Sequence, residues 1–121
     1  MKRILTCVAV GAAVAMAGTA DAKFKRVKKE ADFIAVLTGK TMVSAEGIVG
    51  TISADGTFKG KLKDGRKYYG NWKRSQGYWC RAGVFDGAPL PSDCQKIEVD
   101  GSAYRLTRKK GKGKATTGTL K

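Results

Sequence analysis

Ala54-Asp55-Gly56-Thr57-Phe58-Lys59-Gly60-Lys61-Leu62-Lys63-Asp64-Gly65-Arg66 carries the clearest pattern in the chain. Phe58, Gly60 and Leu62 alternate with Lys59, Lys61 and Lys63, a period of two that turns one set inward and the lysines outward. An Asp-Gly pair stands at each end, and Asp-Gly between alternating segments marks a hairpin turn. The stretch reads as one half-buried strand between two turns.

The same rhythm continues on both sides. Upstream, Ile48, Gly50 and Ile52 alternate with Val49, Thr51 and Ser53. Downstream, Tyr68, Gly70 and Trp72 share one face, with Lys67, Tyr69, Asn71 and Lys73 on the other. Ser75-Gln76-Gly77 turns the chain, and Tyr78, Cys80, Ala82 and Val84 follow at inward spacing. Asp86 to Pro91 reads as a turn-rich loop. Lys96 to Val99 alternates again, Asp100-Gly101 turns, Tyr104 and Leu106 return, and a last strand runs from Ala115 to Leu120. Short strands at this spacing indicate an all-β antiparallel meander. Closure into a barrel of seven or eight strands removes the unpaired edges that an open sheet would carry. A two-sheet sandwich is the alternative.

Two segments precede the strands. Lys2 and Arg3, the apolar run Ile4 to Met16, and Ala20-Asp21-Ala22 make the three-part pattern of a secretory signal peptide over residues 1–22, with an apolar run too short for an ordinary transmembrane helix. Cys7 stands at the start of that run, the wrong place for lipidation. Residues 23–39 then hold a basic arm, Lys23 to Lys29, and a short helix. Glu30 to Leu37 sets Ala31, Ile34, Ala35 and Leu37 at helical spacing with acids early, and Gly39 stops it. Residues 40–121 form the barrel domain with its basic C-terminal segment.

At 121 residues the chain is one domain. It contains no histidine, which removes the commonest general base and metal ligand. Behind a signal peptide the remaining cysteines, Cys80 and Cys94, are expected to pair, and a loop of that size contributes about 3 kcal/mol in the chain-entropy model. Half of a metal site would need further ligands that the sequence does not offer.

The ordered set Leu37-Thr38-Gly39-Lys40-Thr41, Ala54-Asp55-Gly56-Thr57, Gly70-Asn71-Trp72, Tyr78-Trp79-Cys80-Arg81, Asp93-Cys94-Gln95 and Val99-Asp100-Gly101 resembles a group of short secreted alphaproteobacterial proteins classed as a domain of unknown function. The resemblance spans roughly residues 33–109. It implies a lipocalin-like small β-domain in the cell envelope and transfers no catalytic residue. The heavy basic load departs from the group.

No nucleophile is set up for catalysis: the sequence lacks Gly-x-Ser-x-Gly, a Ser-x-x-Lys pair and any histidine. Asp55, Asp64, Asp86, Asp93 and Asp100 could supply paired carboxylates, but most fall in Asp-Gly turns, where backbone geometry explains them. The chain is therefore expected to be no enzyme and to need no cofactor or metal. The net charge of +14 directs attention to anionic partners. Lys59, Lys61 and Lys63 share an outer face that Lys67 and Lys73 extend. Arg108, Lys109, Lys110, Lys112 and Lys114 form a flexible cationic run, and Tyr69, Trp79 and Phe85 are candidate outward aromatics that could stack on bases or sugars.

The expected partner is an envelope polyanion in the periplasm or outside the cell, either lipopolysaccharide or anionic lipid headgroups. Nucleic acid fits the chemistry but not the compartment. One alternative is an inhibitor or accessory subunit on an acidic envelope protein, since a basic target such as lysozyme would meet like charge. Another is a small-ligand carrier. Gly50 and Gly60 leave room inside, though Phe58, Trp72 and Tyr104 are expected to fill it.

Overall fold

The computed structural model describes residues 23–121, so the expected signal peptide, with Cys7, lies outside the described residues. Among the described residues are nine strands: β1 Lys25–Val27, β2 Thr41–Ser44, β3 Val49–Ile52, β4 Thr57–Lys61, β5 Lys67–Ser75, β6 Tyr78–Phe85, β7 Ala88–Asp100, β8 Ala103–Thr107 and β9 Ala115–Leu120. Neighbours run β7-β6-β5-β4-β3-β2-β9-β8, and β8 returns to β7, so eight antiparallel strands close a barrel. The sheet is a closed barrel, not a sandwich.

β1 lies outside this ring. Lys25, Arg26 and Val27 pair with Val99, Glu98 and Ile97 of β7. Because β8 already occupies one edge of β7 there, β1 takes the edge along which β6 runs. The basic arm is thus fastened: Val27 is buried, and the Arg26 guanidinium stacks 4.6 Å from the Tyr78 ring.

α1, Glu30–Leu37, forms where the spacing predicts it. Glu30 and Asp32 lie in its first turn, where carboxylates favour the helix dipole. Its buried face differs from the expected one. Phe33 and Leu37, one turn apart, are fully buried, whereas Ala31 and Ala35 are exposed. The larger side chains remove more apolar surface from water, so the helix turns them to the barrel. Phe33 meets the Trp72 ring edge-on at 6.5 Å, and α1 thereby closes the end of the barrel that also holds the β3–β4 and β5–β6 turns. Thr38 ends the helix, its N–H and hydroxyl both donating to the Ile34 carbonyl.

Two kinds of turn join the strands. At Gln76-Gly77 and Asp86-Gly87 both central residues have positive φ, the primed hairpin that matches strand twist. At Asp55-Gly56 and Asp64-Gly65 only the glycine does, and the aspartate caps its own turn: Thr57 and Arg66 each donate a backbone N–H to it. The Thr57 hydroxyl and then its N–H hold the Asp55 carboxylate below its ordinary pKa, and the Arg66 N–H does the same for Asp64.

Asp86 to Pro91 is not a loop. The turn is confined to Asp86-Gly87, and Pro89 and Pro91 lie within β7. Pairing shifts by one residue between Arg81–Asp93 and Gly83–Leu90, a bulge that accommodates the missing N–H of Pro91. The phase of β6 also reverses the expectation. Arg81, Gly83 and Phe85 pair with the inward Trp72, Gly70 and Tyr68, so Trp79, Arg81, Gly83 and Phe85 face inward and Tyr78, Cys80, Ala82 and Val84 face out. Cys80 and Cys94 stand directly opposite on β6 and β7 and form a disulfide of 2.10 Å.

Candidate functional site

The first site is the outer face of β3, β4 and β5. Register puts Val49, Lys61 and Lys67 in one row, and Thr51, Lys59 and Tyr69 in the next. All three lysines are exposed, and so are Val49 (44%) and Tyr69 (56%), the two large hydrophobic side chains most open to water. No ion pair is recorded for Lys59, Lys61, Lys63, Lys67 or Lys73 among the described residues, although acids elsewhere are paired: Asp64 with Arg66, Glu46 with Lys114, and Glu98 with Lys96 and Arg105. Lys63 begins the β4–β5 turn rather than continuing the strand, and its stem lies near Gly47. Lys73 sits farther along β5, opposite Cys80.

The second cationic cluster stands apart. β8 is four strands from β4 around the ring, so the run from Arg108 to Lys114 is across the barrel from Lys59 and Lys61. The run is folded, not flexible. It forms the β8–β9 connection, in which Lys109 and Lys110 have positive φ within a helical segment at Arg108–Gly111. The N–H of Arg108 donates to the Lys114 carbonyl, that of Gly113 to the Arg108 carbonyl, and that of Lys109 to Asp93 Oδ1. Lys110 reaches over the outer face to Tyr78, its ammonium 5.7 Å from the ring.

Of the expected outward aromatics only Tyr69 faces solvent. Trp79 is 5% exposed and lies in the core, stacked on Trp72 and edge-on to Phe58. Phe85 points into the barrel. Tyr78, expected in the core, is outside, sandwiched between cations from β1 and the β8–β9 loop. Neither turn signals nor periodicity could show that these distant segments cover it.

The third feature is a cavity of about 310 Å³ inside the barrel. Phe58, Trp72 and Tyr104 are buried as expected but do not fill the interior. Tyr68 leans over Gly60 and Gly50, where any Cβ would collide with its ring or hydroxyl. Burial raises the pKa of Tyr68, and burial together with neighbouring Tyr68 pushes Tyr104 up to about 12. The cavity opens away from α1, toward the end that carries the β8–β9 loop, with Arg81 and Arg108 in its lining.

Arg81 is half-buried and donates to the Pro91 carbonyl at the bulge. Burial lowers its pKa, an effect opposed by Asp93 and reinforced by Arg108. Asp93 is not committed to Arg81: its carboxylate accepts from the Lys109 N–H and from Gln95 Nε2. No signal short of the correct β6 phase would have placed Arg81 inside.

Among the described residues no cluster of three or more His, Cys, Asp or Glu side chains is placed to hold a metal, and no helix is long and apolar enough to cross a membrane. The chain matches no protein-family model, no curated protein and no solved structure.

Proposed function

We propose that this protein is a secreted or periplasmic, non-enzymatic β-barrel that binds phosphate-bearing envelope lipid, lipopolysaccharide or anionic headgroups, through its β3–β5 face. The observation that carries the reading is the placement of Lys59 and Lys61 on the strand between exposed Val49 and Tyr69, with Lys67 beside them and no acid paired among them. Solubility alone calls for scattered charge of both signs. Lysines interleaved with apolar side chains match a headgroup layer instead: the ammonium groups meet phosphate while a phenol and a valine enter the interface. The Cys80–Cys94 disulfide supports an oxidising compartment.

The test is titration of the protein with phosphatidylglycerol vesicles and with lipopolysaccharide, at low and at physiological salt. Each lysine near an anionic surface is worth about 1 kcal/mol, so K59Q/K61Q/K67Q should bind on the order of a hundredfold more weakly. Wild-type binding should persist at physiological salt, where simple long-range attraction is screened within about 8 Å. Undiminished binding by the triple variant would remove this face from the reading.

A further inference from the structure

We infer that the barrel cavity is a binding site for a small amphipathic carboxylate, its apolar chain enclosed by the barrel and its carboxylate held by Arg81 and Arg108. The inference stands apart from the lipid-facing surface, since Lys59, Lys61 and Lys67 point out of the same wall.

Three observations converge on it. The volume, about 310 Å³, is at the small end of the range natural ligand sites occupy, roughly 300–1,000 Å³. The lining is mostly apolar, including Met42, Ile52, Phe58, Phe85, Leu90 and Leu106. The polar groups in it are donors in excess. Arg81 and Arg108 in the lining can only donate, and neither can accept.

Charge then selects the headgroup. Arg81 and Arg108 both line the cavity and are close enough to repel one another. The nearest acid, Asp93, faces Arg81 across the β6–β7 pair and offsets one of the two positive charges, while its oxygens also accept from the Lys109 backbone N–H and the Gln95 amide. The other acids in the turns at this end lie outside the lining: Glu46 is paired with Lys114, Asp64 with Arg66, and Asp86 is exposed in the β6–β7 turn. Two guanidinium groups beside one already engaged carboxylate leave the cavity net positive. An anion entering from the open end would gain charge-assisted, forked hydrogen bonds from arginine. A neutral hydrocarbon would gain none of this, and a cation would be repelled.

Decanoate, kept below its micelle concentration and without vesicles, is the probe. Calorimetric titration should give one molecule per chain, and in W72F the remaining Trp79 should report the same saturation by fluorescence. R81Q and R108Q should each weaken binding about tenfold, and decanol should bind correspondingly worse than decanoate. L106W, which fills the cavity, should abolish binding. Arg108 is exposed, so R108Q keeps the test available if R81Q does not fold.

Absence of saturable decanoate binding would overturn the inference, as would equal affinities for decanoate and decanol with both arginine variants unchanged. K61Q/K67Q, which leaves the cavity lining untouched, should retain decanoate binding. If it loses that binding while R81Q keeps it, the contact lies outside the barrel and the cavity site is refuted, whatever the vesicle titration gives.

Discussion

At one end of the barrel Phe33 and Leu37 are wholly buried and Phe33 abuts Trp72; at the other, Arg81 and Arg108 stand at an open cavity of about 310 Å³. The closed end is sealed by eight helical residues whose two large apolar side chains lie one turn apart. The open end is crossed only by turns and by the β8–β9 loop, whose side chains are mostly cationic. The same wall of strands serves both. Burial predicts that stability is concentrated where the helix completes the core, leaving the opposite end free to carry charge and unfilled volume.

That contrast can be broken by mutation. Phe33→Ala should cost about 3–5 kcal/mol of stability in urea unfolding, the range for truncating a buried aromatic. Arg108→Gln at the other end should change it by less than about 0.5 kcal/mol. Comparable losses from the two would mean that the ends do not differ as described. Between them, on the outer wall, the Cys80–Cys94 bridge should contribute about 3 kcal/mol, read from Cys80→Ala/Cys94→Ala, while decanoate binding stays intact because the bridge faces away from the cavity.

The smallest effect sharpens the description of the interior. The Tyr104 ring lies against Gly118 in the barrel and is 3% exposed. Burial, aided by Tyr68, pushes its pKa to about 12. The unfolded chain releases that proton near the ordinary value of about 10, whereas the folded protein keeps it until about 12. Its contribution is therefore fully present below about pH 10 and lost as pH rises to about 12. Ultraviolet titration should show one late phenolate step that Tyr104→Phe removes. Ionisation of Tyr104 at the ordinary value would mean that the interior is open to bulk water.

Much of the barrel was legible because its local signals agree. Asp-Gly turns and period-two alternation located β3, β4, β5, β8 and β9, and cysteine arithmetic located the bridge. The failures share a cause. In β6 both alternating sets, Tyr78-Cys80-Ala82-Val84 and Trp79-Arg81-Gly83-Phe85, contain large apolar residues, so periodicity cannot choose between them. Pairing with β5 chooses, because Trp72, already inward, stands opposite Arg81. In α1 two apolar spacings compete, and contact with Trp72 selects Phe33 and Leu37. The two prolines of β7 resemble a loop locally, but one bulge and a long partner strand absorb them.

The candidate sites divide in the same way. Lys59, Lys61, Lys67 and Tyr69 were readable as an outward set because each pair of facing strands keeps the period of two. Arg108 reads in the sequence as part of a flexible run, whereas in the structure the loop packs on β7, with Lys109 N–H bonded to Asp93, and Arg108 lies in the cavity lining. Arg81 was invisible as a site residue until the β6 phase was known.

The sequence by itself determined an antiparallel β-chain with a short leading helix, one cysteine pair and a cationic exterior, since turns, periodicity and charge are properties of near neighbours. Tertiary structure alone decided which face of β6 is inside, that the barrel retains a cavity, and that Arg81 and Arg108 meet at its open end. Those depend on register between strands and on closure of the ring, and both are fixed by contacts between residues far apart in the chain.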